Sequence, residues 1–142
     1  MLLDTCVLSE LVKPRPAPAV VSWFEAAADP DLHVSVLTLG EIAKGARRLP
    51  TGAKRARIET WLAQLRTEFA DRIVGVNDET AILWGRLAAE AEKRGRSLTV
   101  VDGLLAATAI HLRMPLVTRN VDDFKGIALS IINPWDSRPA AG

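Results

Sequence analysis

Asp4, Glu41, Asp102 and the segment Asn120–Asp123 are the residues of this 142-residue chain whose types and places could do chemistry. Asp4 closes the apolar run Met1-Leu2-Leu3, and Glu41 stands four residues beyond the run His33-Val34-Ser35-Val36-Leu37. Asp102 opens an alanine-rich stretch, and Asn120, Asp122 and Asp123 follow Pro115-Leu116-Val117-Thr118. Taken one at a time, these acids have simple structural uses. Asp is a preferred helix N-cap. Thr38-x-x-Glu41 and Thr99-x-x-Asp102 match the capping-box pattern, and acids in a first helical turn complement the helix dipole. Asp122 and Asp123 suit a turn. Capping does not account for convergence. Carboxylates brought to one crevice repel one another and raise one another's pKa, which is costly unless a cation lies among them. Oxygen-only ligands suit Mg2+ or Mn2+. Mg2+ keeps several waters and takes further ligands from substrate phosphate. The reaction such a site serves is metal-assisted hydrolysis of a phosphodiester, with one ion or two.

Convergence depends on the elements that carry these residues. The run ending at Leu3 reads as a buried central strand, with a helix expected over roughly 7–13. Beyond the prolines at 14, 16 and 18, a helix is expected from Ala17 or Ala19 to Ala28. Val20, Trp23, Phe24 and Ala27 share its apolar face, and Asp29-Pro30-Asp31 stops it. Further strands are expected at 33–37, 73–76, 115–118 and 129–132, and helices at 38–49, 54–70, 79–94 and 101–112. The long helix carries the stripe Ile58, Trp61, Leu62, Leu65 and Phe69, and Gly95 stands where a C-cap glycine belongs. Strands alternating with helices, without hairpin signals, predict an α/β fold. The expected form is a three-layer α/β/α sandwich around a central parallel sheet of about five strands. Ligands of such sheets bind outside the carboxyl ends of the strands. Asp4, Glu41 and Asn120–Asp123 then share one edge, joined by Asp102 if its helix starts on that side. No repeat or linker divides the chain, so a single domain over 1–135 is expected, with 136–142 a frayed tail.

The totals narrow the function classes. An apolar share of 49% with 25% charged residues suits a folded soluble domain rather than a disordered chain. A net charge of +1 argues neither for nor against a nucleic-acid partner. No apolar run approaches the length of a membrane span. The N-terminal run is too short for a signal peptide and lacks its basic lead. The single cysteine, Cys6, excludes intrachain disulfides and suits a reducing compartment, so a cytoplasmic protein is expected. One cysteine and two histidines are too few for an ordinary zinc site. The absence of tyrosine argues against a base-stacking platform.

Five segments in order carry a family resemblance. They are Leu2-Leu3-Asp4-Thr5, the stretch from Val34 to Gly45, the stretch from Val101 to Ala109, Val117-Thr118-Arg119-Asn120-Val121-Asp122-Asp123-Phe124, and Ile132-Asn133-Pro134-Trp135. With these, spanning nearly its whole length, the chain resembles PIN-domain ribonucleases of the kind that serve as the toxin in VapBC toxin–antitoxin pairs. The resemblance implies a Mg2+ site with Asp4, Glu41 and Asp102 as its acidic core. It also implies an endoribonuclease hydrolysing RNA, a homodimer, and a cognate antitoxin that blocks the site. Some members place the fourth site group at Asn120. The pattern from Thr118 to Phe124 points instead to Asp123, with Asn120 contributing through its amide or a water and Asp122 as the alternative. Thr5 is a supporting residue, and Thr118 is expected to hydrogen-bond a ligand or phosphate. Cys6 departs from the small polar residue usual at its place. Its weak hydrogen bonding predicts thinner support for Asp4, and no catalytic role is expected for its thiol.

Lys44, Arg47, Arg48, Lys54, Arg55 and Arg57 form a basic run with no acid among them. It is either a solvated helix face or a phosphate-contact surface, with Lys44, Arg47 and Arg48 as the candidate RNA contacts. Gly103 either lets RNA or water approach beside Asp102 or serves packing. Ala106, Ala107 and Ala109 let their helix lie close on the sheet. The tryptophans Trp23, Trp61, Trp84 and Trp135 read as core or subunit contacts, and His33 and His111 as structural. Two other functions compete. One is a catalytically degenerate PIN-like domain that only binds RNA or a partner protein, against which the retained acids stand. The other is a phosphatase with Asp4 as nucleophile, which ordinarily needs a second Asp where this chain has Cys6.

Overall fold

The computed structural model describes residues 1–136, so most of the expected tail lies outside the described residues. Five strands of two or three residues make one sheet: β1 (Leu2–Leu3), β2 (His33–Ser35), β3 (Ile73–Val74), β4 (Leu116–Val117) and β5 (Ile131–Ile132). All pair in parallel, in the order β3-β2-β1-β4-β5. Leu3 is in register with Val34 and Val117, and Leu2 with His33 and Leu116. Alternation along the strands then sends Leu3, Val34 and Val117 into one apolar layer and Leu2 and Leu116 into the other. The first layer is closed by α1 (Thr5–Leu11), α2 (Pro18–Ala26), α3 (Val36–Arg48) and α4 (Ala53–Glu68), through Val7, Leu8, Val20, Ile42 and Leu65. The second is closed by α5 (Asp78–Lys93) and α6 (Val100–His111), through Leu87, Leu105 and the alanines of α6. Phe124 joins it from a short 3-10 turn, Val121–Phe124. The architecture is the expected three-layer α/β/α sandwich. Strands β1 and β4, covered on both faces, are apolar throughout for that reason.

Several boundaries differ from the sequence reading, each for a local reason. The second strand stops at Ser35, not Leu37. The Ser35 hydroxyl accepts the Leu37 N–H at 3.0 Å and caps α3, an alternative to continued strand pairing. Thr38 therefore lies inside the helix, and the expected Thr38–Glu41 capping box does not form. Helix α1 starts at Thr5 rather than near Val7 because Asp4 already accepts the Thr5 N–H at 2.7 Å. Strand β3 ends at Val74 and β5 begins only at Ile131; both are edge strands with a partner on one side. Other caps follow the sequence. Thr99 accepts the Asp102 N–H at 3.2 Å. Gly95, at φ 70°, closes α5 with bonds from Gly95 N–H to Glu92 O and Arg96 N–H to Ala91 O, each 2.9 Å, a Schellman motif.

Candidate active site

From β1 the chain builds β2 and β3 to one side, then places β4 and β5 on the other. The direction of winding reverses between β1 and β4, where open α/β sheets leave a crevice at the strand carboxyl ends. Asp4 and Thr118 are the first residues beyond those two strands. The Asp4 N–H donates to Val117 O at 2.9 Å. The Thr118 hydroxyl donates to Asp4 Oδ2 at 2.8 Å and accepts the Asn120 N–H at 3.0 Å. Asp4 Oδ1 accepts from Thr5. Asp4 is thus both helix cap and edge acid. Both oxygens are oriented, yet each keeps lone-pair capacity for a cation. Thr118 is fully buried, and its hydroxyl is engaged by Asp4 and by the Asn120 N–H.

Glu41 lies on the second turn of α3 and accepts from the Thr5 hydroxyl at 3.1 Å. The residue is exposed overall, but its carboxyl is partly desolvated by surrounding protein, and this raises its pKa most. The Thr5 bond acts against the rise, the charges of Asp4 and Asp102 add to it, and Lys44 counters it. Asp102, in the first turn of α6, is raised in the same way: burial first, opposed by the Thr99 bond, then reinforced by Asp4 and Asp123. Asp4 and Asp102 are therefore within electrostatic reach of Glu41, and Asp4 and Asp123 within reach of Asp102. Asp122 and Asn120 are exposed. The Asp122 carbonyl accepts from Arg96 at 2.9 Å, and Asn120 serves Thr118 through its backbone.

The neighbours of these acids define what the edge can do. Cys6 Sγ stands 3.9 Å from Asp4 Oδ2 and 3.6 Å from Thr118 Oγ1. Burial pushes its thiol up, leaving a neutral, weakly bonding group and not a nucleophile. His33, at the start of β2, has Nδ1 3.3 Å from Asp31 O, and His111, at the end of α6, has Nε2 3.6 Å from Glu79. Both lie away from the acids. Gly103 proves to be a packing glycine, since a Cβ there would stand 2.6 Å from Trp84 Cδ1. Two supports were not apparent from the sequence. Arg119 stacks over Trp135 at 5.2 Å, beside Thr118. Glu10 accepts the Ala17 N–H at 3.1 Å and pairs with Lys13 at 2.6 Å, which hold its carboxyl below the ordinary range and brace the following loop. Only the Glu10–Lys13 spacing, one helical turn, signals this in the sequence.

The basic run is divided. Lys44 and Arg48 share a groove of about 450 Å³ with Glu41, Val36, Leu37 and Val101. Arg47 instead lines a hollow with Thr51, Gly52, Arg55 and Glu59.

The donors fit a hard divalent cation. The four converging side chains offer carboxylate oxygens alone, the set that Mg2+ and Mn2+ select, and a cation relieves their repulsion. Among the described residues, no three Asp, Glu, His or Cys side chains stand close enough to enclose an ion by themselves.

A family model described as the PIN domain matches residues 1–129. The chain is 30% identical to the toxin FitB of Neisseria gonorrhoeae over 95% of its own length and 98% of the relative's. It is 31% identical to the VapC ribonuclease Y4jK of Sinorhizobium fredii, covering 96% and 98%. The crystal structure of FitAcB from Neisseria gonorrhoeae superposes with a TM-score of 0.87 at 30% identity, covering 96% of this chain and 99% of that one. With its parallel sheet and acidic edge, the chain belongs to the PIN-domain family. Within that family its likeness is to the VapC-type toxins.

Proposed function

We propose that this protein is a Mg2+-dependent endoribonuclease that hydrolyses RNA phosphodiester bonds as the toxin of a toxin–antitoxin pair. The observation that carries the reading is the gathering of Asp4, Glu41 and Asp102 at the carboxyl edge of the sheet, with Asp4 and Glu41 both held by Thr5 and Asp102 acting on Glu41 through its charge. Asp4, Glu41 and Asp102 would hold the ion, and Asp123 completes the acidic set through Asp102. Mn2+ serves the same donors. Bound there, the ion supplies positive charge to the reacting phosphodiester and lowers the pKa of an attacking water.

The protein's own part is orientation and proton handling. Thr118 and the Thr5 N–H fix the two oxygens of Asp4, the Thr5 hydroxyl fixes Glu41, and Thr99 fixes Asp102. Asp123, which acts on Asp102 and is not assigned to the ion, is the carboxylate left to take the proton released by water. Cys6 offers no second carboxylate for a phosphatase of the aspartyl-phosphate kind. The likeness to a toxin solved in complex with its antitoxin supports a cognate antitoxin, and a homodimer is part of the proposal. No helix among the described residues is long and apolar enough to cross a membrane, and a cytoplasmic site of action is part of the proposal.

The test is RNA cleavage with Mg2+, with EDTA, and by Asp4→Asn and Asp102→Asn variants. Cleavage is expected only in the first case. Cleavage that survives both chelation and substitution would remove the metal reading.

A further inference from the structure

We propose that the groove along α3 carries the RNA strand on one side of the reacting phosphodiester, with Lys44 and Arg48 as its phosphate contacts and the rest of the basic run outside it. The identity of the strand rests on the nuclease reading above; the geometry of the track does not. Glu41 belongs both to the acidic edge and to the groove, so the two are continuous, and a strand reacting at the acids has this path open to it. Lys44 lies one helical turn beyond Glu41 and Arg48 two turns, about 4.5 and 10 Å along the axis at ~1.5 Å per residue. The cations thus follow one another in file away from the acids. Lys44 is near enough to act on the Glu41 carboxylate. Val36, 41% exposed, and Val101 give the groove an apolar side against which sugars can lie.

The backbone of α3 bears on the same point. Gly40 and Gly45 also line the groove. Interior glycines weaken a helix, and here neither has a positive φ or a neighbour within 4 Å that a Cβ would meet. Packing within the chain does not require them, and without side chains they leave the groove floor open to a close-lying strand. The remaining cations point elsewhere. Arg47 and Arg55 line the other hollow, where Arg55 bonds Glu59 at 3.0 Å. Lys54 and Arg57 lie on α4, across the turn that separates it from α3. A run that is continuous in sequence is split by the fold into a track and a solvated face.

The experiment measures binding of a labelled single-stranded RNA to the full chain against salt concentration, in the non-cleaving Asp4→Asn background with EDTA. Lys44→Gln and Arg48→Gln should each weaken binding several-fold and lower the slope of log K against log salt by about 0.7, one single-strand phosphate contact apiece. Lys54→Gln and Arg57→Gln should change neither. Gly45→Ala should weaken binding while leaving the melting temperature equal or higher. Equal losses from Lys54→Gln and Arg57→Gln, no loss from Lys44→Gln and Arg48→Gln, or no RNA binding in any variant overturns the proposal. So does a poly-glutamate peptide that binds more tightly than RNA and is lost in the Lys44 and Arg48 variants, which would give the groove to an acidic protein segment. Failure of the nuclease reading shows separately, as a parent protein that binds RNA but does not cut it with Mg2+.

Discussion

The seam between α5 and α6 and the crevice between β1 and β4 lie in one small fold but are built to different ends. At the seam, each choice serves packing. Trp84 lies on Gly103, where no Cβ fits, the alanines of α6 are buried on the sheet, and a Schellman motif closes α5. At the crevice, the choices work against stability. Carboxylates crowd until burial and mutual charge raise the pKa of Glu41 and Asp102. Asp4 itself is buried there, its two oxygens held by Thr118 and the Thr5 N–H. The contrast separates a region built for packing from one whose carboxyls are held at a cost to folding.

Three substitutions would break or sharpen that contrast. The largest effect on stability is expected at the seam. Gly103→Ala forces Trp84 to move and should cost about 3 kcal/mol by overpacking, read from urea unfolding, with the Mg2+ affinity of the surviving folded protein unchanged. A harmless Gly103→Ala would mean the seam is looser than its contacts. Next, Thr118→Val removes the 2.8 Å bond to Asp4 Oδ2. It should lower Mg2+ affinity about tenfold or more, as loss of a ligand's orienting partner does, with a smaller loss of stability. An unchanged affinity would show that Asp4 needs no such support.

The smallest effect concerns pH. A carboxyl whose pKa is raised by folding binds more protons folded than unfolded. Stability is therefore present below the ordinary carboxylate range and falls as pH rises through the window up to the raised value. Glu41→Gln should remove part of that fall and raise the melting temperature of the metal-free protein at neutral pH, while lowering its response to Mg2+. A melting temperature that drops in EDTA would mean that Glu41 is a stabilising acid and would erase the difference between the two regions.

How far the sequence could be read follows from how local each feature is. The strands were legible from short apolar runs, and Asp4, Glu41 and Asn120–Asp123 could be grouped because parallel strands all end on one edge, whereas Asp102 joined them only on condition of where its helix starts. The Thr99 and Gly95 caps were legible because their signals lie within a few residues. The capping-box pattern pointed to Thr38, whereas Ser35, read as part of the strand, caps α3. The order of the strands was not legible, since pairing of β4 with β1 joins residues more than a hundred positions apart. Without it, the bond from the Thr118 hydroxyl to Asp4 could not be foreseen. Gly103 stayed ambiguous until Trp84 was placed over it, and the basic run looked uniform until the turn at Pro50-Thr51-Gly52 put its two halves on different helices.

The most direct test is calorimetric titration of the full chain with Mg2+ near neutral pH, compared with Asp4→Asn and Asp102→Asn variants shown to be folded. The account predicts saturable binding to the parent protein and its loss in each variant. No binding by the parent protein, or undiminished binding by both variants, would contradict it.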